Sequence, residues 1–347
     1  MTDQPCGSDR VAAQVRLALP SKGTLEEPVL KLLADCGLTV RRVSSRHYSA
    51  TIAALPAVTV HFQRVPDIVS MVEAGEADLG ITGYDLVAEA RDESTNLLVL
   101  HPELRIAECD LALAVPDDWL DVVTVRDLAD LAATMHTRGR VLRVATKFSN
   151  LTRDFLYDKG ITHFTLVPGH GALEAAPTTG AADIITDLVT TGITLRENRL
   201  KQIGGGTILH CQACVIGNIR RLRADLAVRD AARTLLELIE AHMRAAGYFA
   251  VTANVSAESA EAIGRHLLRR PELAGLQGPT VSKVVSKTTG EHCWYAVRVV
   301  VRQQSLLSLV DYLRCAGGTD VTVSRLDYVF GDRSRYYQAL TEQLKRA

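Results

Sequence analysis

No run of apolar residues in this sequence is long enough to cross a bilayer as a helix. An excess of one charge is missing too: 39 Lys and Arg stand against 40 Asp and Glu, a formal net charge of −1. That balance argues against a strongly basic nucleic-acid binder and against a disordered polyelectrolyte. It leaves room for a local basic pocket that holds phosphates. The opening stretch, MTDQPCGSDRVAAQ, lacks the apolar core of a signal peptide, so a cytoplasmic location is expected. A disulfide framework is missing as well. The seven cysteines are odd in number and scattered, which suits a reducing compartment. The close pair Cys211 and Cys214, in LHCQACVIG, has no second pair to complete a metal knuckle and sits in an apolar, strand-like run. Two buried thiols are expected there.

The composition itself is globular: 47% hydrophobic and 23% charged residues over a length of 347 suit two or three domains and a large core. From Gln14 the chain alternates strands with helices. QVRLAL reads as a strand, followed by a turn with Pro20 and Gly23. A helix then carries Leu25, Val29, Leu32 and Leu33 at helical spacing. Thr24 and Glu27 predict a capping box, Pro28 falls in the first turn, and Gly37 is the stop. Strand and helix patterns recur through AVTVHFQRVPDIVSMVEAGEADLGITGYDLVAEA and AECDLALAVP. They recur again in RVLRVATKFSNLTRDFLYDKGI, where Ser149 or Asn150 is the expected cap. This pattern predicts an α/β fold with ligands at the carboxyl ends of strands. Beyond about Gly217 a long amphipathic helical stretch leads to a βαββαβ succession, the ferredoxin-like order.

The stretch ADIITDLVTTGITLREN, Ala182 to Asn198, raises the main chemical question. Asp183 and Asp187 lie on an apolar strand that leads into a hydroxyl-rich turn and a helix start near Thr194. One reading is an ordinary strand end and capped helix. The other is a cradle for a sugar phosphate. Backbone N–H groups and the hydroxyls of Thr190, Thr191 and Thr194 would meet the phosphate, Gly192 would allow close approach, and Asp187 would accept from a ribose diol. The residues alone leave both open.

From Glu174 the chain reads EAAPTTGAADIITDLVTTGITL. Glu174, Gly180, Ala182, Ile185, Asp187, Leu188, Thr191, Gly192, Thr194 and Leu195 resemble, at the same spacing, the signature of the ATP phosphoribosyltransferase family. RLALPSKGTL, ADLGITGYD and RVATKFSNLTRDF resemble other stretches of that family. LRRPELAGLQGPTVS resembles the regulatory domain of its long, plant-like form. Phe148, Ser149 and Thr186 depart from the commonest family residues.

The resemblance implies two α/β lobes of the periplasmic-binding-protein type and a C-terminal ferredoxin-like domain. It implies transfer of the phosphoribosyl group of phosphoribosyl pyrophosphate to N1 of ATP, the first step of histidine biosynthesis. Mg2+ would be the cofactor, histidine the feedback inhibitor, and a homohexamer or dimer the assembly. No nucleic-acid or membrane partner is expected. The implied domains are 1–107, completed by 199–220, as lobe I and 108–198 as lobe II. A linker helix spans 221–247 and the regulatory domain 248–347. Asp187 and Glu174 are the implied catalytic residues. Asp183, Asp187, Leu188, Val189, Thr190, Thr191, Gly192, Ile193 and Thr194 would hold the ribose 5-phosphate. Lys22, Gly23, Arg46, Arg64, Thr82, Gly83 and Asp85 would meet ATP or pyrophosphate. Asn254, Leu276, Thr280 and Asp320 would bind histidine. SKG is not a P-loop, because the spaced glycine and Lys-Ser/Thr pair are missing. His170 is expected to be exposed and non-catalytic, since adenine N1 carries no proton to remove. A metabolite receptor and an inactive regulatory subunit are the competing readings. The missing signal peptide argues against the first and the intact phosphate loop against the second.

Overall fold

The computed structural model describes residues 14–42, 44, 47–90, 96–169, 171–285 and 293–346. By contacts the chain divides into two units, Met1–Thr234 with Tyr336–Ala347, and Leu235–Arg335. The first unit contains two α/β lobes. Lobe I opens with β1 (Val15–Pro20), α1 (Glu26–Asp35), β2 (Val40–Arg41), β3 (Ser49–Ile52) and β4 (Val58–Gln63). It continues with α2 (Val65–Ala74), β5 (Leu79–Gly83), α3 (Tyr84–Ala90) and β6 (Leu97–His101). Lobe II follows with β7 (Cys109–Pro116), α4 (Val125–Thr137), β8 (Leu142–Thr146), α5 (Ser149–Asp158) and β9 (Phe164–Pro168). After a 3₁₀ turn at Leu173–Ala175 come β10 (Ile184–Val189), α6 (Ile193–Glu197) and β11 (Leu200–Cys211). The chain then returns to lobe I as β12 (Ala213–Asn218), which inserts between β5 and β6.

The sheet orders are β2-β3-β4-β1-β5-β12-β6 and β11-β7-β10-β8-β9. In each lobe a parallel trio, β4-β1-β5 or β9-β8-β10, is flanked by an antiparallel strand. β1 is buried along almost its whole length, and only the Arg16 side chain reaches outward. That is the pattern of a strand covered on both faces.

α7 (Ile219–Ala224) and α8 (Leu226–Ala245) follow, and the division between units falls within α8. The second unit holds β13 (Tyr248–Ala257), α9 (Ala260–Leu267), β14 (Thr280–Lys283), β15 (Cys293–Arg302), α10 (Leu306–Cys315) and β16 (Gly318–Arg325). Its sheet runs β14-β15-β13-β16, antiparallel throughout, the ferredoxin-like order the sequence predicts. Val251, Ala253, Val255, Val297 and Val299 turn to one face and form a core with Ile263 and Leu267 of α9 and Leu309 and Leu313 of α10.

The sequence expectations need three local corrections. Thr24 makes no cap bond. Leu25 occupies the cap position of α1, because the chain turns at Gly23 (φ 88°) and the Glu26 N–H donates to the Gly23 carbonyl. Neither Ser149 nor Asn150 caps α5; Phe148 stands at the cap and offers no side-chain acceptor. The last helix, α11 (Arg335–Arg346), lies almost wholly in the first unit, although the sequence reading placed it in the regulatory domain. Cys211 and Cys214 are buried and free, as expected. Among the described residues, no helix is long and apolar enough to cross a membrane.

Candidate active site

Both parallel trios end in loops that gather polar side chains at the carboxyl edge of the sheet, where α/β folds bind ligands. In lobe II, β8 ends at exposed Lys147, β9 at Pro168 and Gly169, and β10 at Asp187 and the turn beyond it. A Cβ on Gly169 would lie 1.8 Å from Leu173 Cδ2, so any larger residue here would push the Leu173 side chain out of its buried place beside Glu174. Thr190, Thr191 and Thr194 are exposed. Gly192 caps α6 in the left-handed conformation (φ 68°), which orients the turn toward solvent. Ile193 and Leu188 are also exposed beside it, whereas Val189 turns into the lobe II core and can offer only backbone.

Asp187 is half-buried on the face of β10 that carries Ile185 and Val189. Burial pushes its carboxyl above the usual range. The Leu188 N–H, 2.9 Å from Oδ1, and the Lys147 ammonium pull it back, while Glu174 pushes it up further. Asp187, Glu174 and Lys147 therefore share one electrostatic neighbourhood. Sequence reasoning missed Lys147; its signal was a lysine directly after a strand of the parallel trio.

Asp183 does not join them. It lies before β10, at the opposite end of the strand, and is clamped by Arg143 of β8. Oδ2 accepts from the Arg143 backbone N–H at 2.8 Å, Oδ1 accepts from its guanidinium at 2.9 Å, and Arg140 adds a second cation at 3.7 Å. Burial raises this carboxyl, but the Arg143 hydrogen bonds outweigh burial and hold it below the usual range. Lobe I repeats the clamp. Asp78 before β5 accepts from the Arg16 backbone at 2.8 Å and from its guanidinium at 3.2 Å, and the Arg guanidinium also donates to a loop carbonyl, Gly75 in lobe I and Gly180 in lobe II. Asp183 is thus the structural counterpart of Asp78, and Asp187 that of Thr82.

In lobe I, exposed Lys22 and Gly23 follow β1, exposed Arg64 follows β4 as the cap residue of α2, and Gly83 closes β5. These strands are neighbours, so the three loops lie side by side. Thr82 corrects the expectation of a ligand contact. It is fully buried, and its hydroxyl donates to the Val65 carbonyl at 3.1 Å, tying β5 to the start of α2 beside Arg64. Asp85 is buried in the first turn of α3, and burial raises its carboxyl against the pull of its own and the Leu86 N–H. Its Oδ1 fills the space a Cβ on Gly83 would need, 2.3 Å away. Arg46 and His170 lie outside the described residues.

The lobes meet at a second feature the sequence did not reveal. Glu89, in α3 of lobe I, accepts from the backbone N–H groups of Asn150 and Leu151 at 2.8 and 3.0 Å, and so caps α5 of lobe II. In the second unit, Thr280 pairs with Arg298 and Asn254 with Ala296. This register puts Thr280 and Asn254 on the sheet face away from α9 and α10, with β15 between them. Asp320 sits opposite in a register shift of β16 with a left-handed φ of 51°, and exposed Leu276 precedes β14. Among the described residues no cluster of three or more His, Cys, Asp or Glu side chains suits a metal ion.

Two α/β lobes joined by two crossing segments, with their polar groups collected at strand carboxyl ends, define a two-lobed ligand-binding class. Residues 64–241 match the family HisG: ATP phosphoribosyltransferase, and residues 245–328 match HisG, C-terminal domain. ATP phosphoribosyltransferase 2, chloroplastic, of Arabidopsis thaliana is 40% identical over 95% of this chain and 81% of its own length. The ATP phosphoribosyltransferase of Bradyrhizobium diazoefficiens is 34% identical over 97% of this chain and 100% of its own. The solved ATP phosphoribosyl transferase (HisG:HisZ) complex from Thermotoga maritima superposes with a TM-score of 0.50 and 26% identity. The match covers 65% of this chain and 96% of that one. The chain belongs to the ATP phosphoribosyltransferase family, pentosyltransferases of the first step of histidine biosynthesis.

Proposed function

We propose that the carboxyl edge of lobe II holds phosphoribosyl pyrophosphate and that of lobe I meets ATP and the leaving pyrophosphate. The observation that carries this reading is Asp187 half-buried beside the left-handed Gly192 turn, with Thr190, Thr191 and Thr194 exposed around it. The 5-phosphate takes the turn's hydroxyls and amides, and Asp187 accepts from the ribose diol. The lone pair of adenine N1 attacks the anomeric carbon while the bond to pyrophosphate breaks and its electrons leave with that group. No side chain need form a covalent bond. The protein positions the reactants and balances charge, with Lys147, Lys22 and Arg64 as the cations. Mg2+ suits the hard oxygens of Asp187 and Glu174 together with those of pyrophosphate, and would neutralise the leaving group. Histidine would bind the polar face of the second unit through Thr280, Asn254, Leu276 and Asp320, and the chain would assemble as a dimer or hexamer.

The test is pyrophosphate release with ATP, phosphoribosyl pyrophosphate and magnesium. Release only when both substrates are present is expected, with histidine suppressing it in the parent and not in Thr280→Trp. Release without ATP, or none at all from folded protein, would overturn the reading of the lobes. Equal inhibition of both forms would move the histidine site elsewhere.

A further inference from the structure

The chain passes between the lobes twice, through residues 102–108 and through Gln212. The two passages are bonded to each other: Leu104 N–H donates to the Ala213 carbonyl at 3.0 Å, Ala213 N–H to Ile106 at 3.1 Å, and Arg105 N–H to Gln212 Oε1 at 2.8 Å. Immediately inside lobe II the passages become β7 and β11, and Cys109 stands directly opposite Cys211 in the register. The next pair, Asp110 and His210, projects to the other face and is joined at 2.6 Å. Directly opposed antiparallel residues have Cα atoms about 4.5–5.5 Å apart, within the span a disulfide bridges. Cys211 is buried with Leu111 and Phe148, and Cys109 packs against that same cluster while keeping partial exposure. Among the described residues no other cysteine is set opposite a second one by a sheet register.

We propose that Cys109 and Cys211 are an oxidation site whose disulfide ties the two crossing strands together and slows the lobe movement that turnover requires. Lobe closing and opening commonly set turnover in two-lobed enzymes, and both crossing segments enter lobe II at this pair. The roles of the two thiols differ. The neighbouring Cys211 side chain holds the Cys109 thiol below its ordinary range, against burial and the Asp85 and Asp110 carboxylates; the Cys109 thiol and burial push Cys211 up. Cys109, the more exposed, is the attacking thiol. Its thiolate attacks one sulfur of an oxidant disulfide such as oxidised glutathione, and one glutathione thiolate leaves. Cys211 then attacks Cys109 Sγ in the mixed disulfide and expels the second glutathione. The two thiol protons end on the two released glutathiones. The net change is two protein thiols oxidised and one glutathione disulfide reduced.

Full-length protein is titrated with oxidised glutathione, and intact mass, peptide mapping and pyrophosphate release are followed together. The expected product has lost two hydrogens and carries a Cys109–Cys211 crosslink. Its turnover should be several-fold lower and restored by dithiothreitol. Cys109→Ser and Cys109→Ala should keep their rate in the oxidant, whereas Cys315→Ser should lose it as the parent does. Stable glutathione on Cys109 with Cys211 still reduced, a crosslink elsewhere, or a complete Cys109–Cys211 crosslink with unchanged turnover would each overturn the proposal. The mapping result does not depend on the activity assay.

Discussion

Asp183 precedes β10 and Asp187 lies four residues on, about 13 Å along an extended chain. Arg143 grips Asp183 from backbone and side chain, whereas Asp187 has one backbone donor, a nearby ammonium and a neighbouring carboxylate. The two carboxyls therefore answer to pH with opposite signs. Asp183 is held below its unfolded range, so its contribution to stability is present above the unfolded pKa and lost as pH falls through the lower folded one. Asp187 is raised, so its charged form costs stability in the folded state at neutral pH, and the ionised carboxylate is lost sooner as the solution is acidified. Asp183→Asn should lower stability by about 1–2 kcal/mol, the low end for a charged partner because Arg143 is partly in solvent, and leave KM for phosphoribosyl pyrophosphate unchanged. Urea melts and initial rates on the same variant check this; a raised KM without lost stability would return Asp183 to the substrate. Asp187→Asn should reverse the pattern, with kcat/KM down at least tenfold and the urea midpoint unchanged or slightly higher. If the fall of the parent's activity at acid pH persists unshifted in Asp187→Asn, another group sets it.

At the scale of elements, α5 shows where sequence reading reaches its limit. Its strand and helix were legible because hydrophobic periodicity is local, and so were the turn at Gly192 and the βαββαβ order. Its cap was not, because Glu89 comes from another lobe, far back in the chain, and no spacing rule pairs them. The Asp183 assignment failed for a related reason. GEAD and GAAD are the same Gly-x-Ala-Asp clamp in the two lobes, and only the partners Arg16 and Arg143 show that both aspartates belong to the fold. Thr82 is expected to meet ATP or pyrophosphate because it stands near the end of a strand, yet its bond to Val65 takes it inward. Glu89 also links function to this scale, since α3 begins beside Gly83 and Asp85 and ends at the start of α5. Glu89→Ala removes the acceptor for two helix N–H groups and should raise KM for both substrates several-fold more than it lowers kcat. Glu89→Gln keeps one acceptor and should recover part of the loss. Small-angle scattering on Glu89→Ala should show a larger radius of gyration without substrates; the same radius and the same KM as the parent would show that the cap does not govern the lobes.

At the scale of the whole molecule, the last helix changes how the C-terminal region is to be tested. The family matches end at residue 328, and α11 lies beyond them. α11 contributes Leu340, 2% exposed, to lobe I, where it lines a pocket with Tyr84, Val87 and Leu97; the Tyr336 ring lies 3.9 Å from that of His101 at the end of β6. The second unit is therefore joined by the chain to the first at both ends. A truncation near Arg244 removes α11 along with the ferredoxin-like sheet, so any lost activity in it would mix two causes. Leu340→Ala separates them. Deleting the buried methyl groups should cost about 2–4 kcal/mol, read as a fall in the first unit's melting temperature of roughly 5–10 °C, with the second unit's transition unmoved. Histidine inhibition should survive below that temperature, in contrast to Thr280→Trp, because the polar face of β14 and β13 is untouched. Calorimetry that finds the first unit unshifted in Leu340→Ala would mean that α11 does not brace lobe I, and the truncation near Arg244 would then become a fair test of the proposed regulatory role of the second unit.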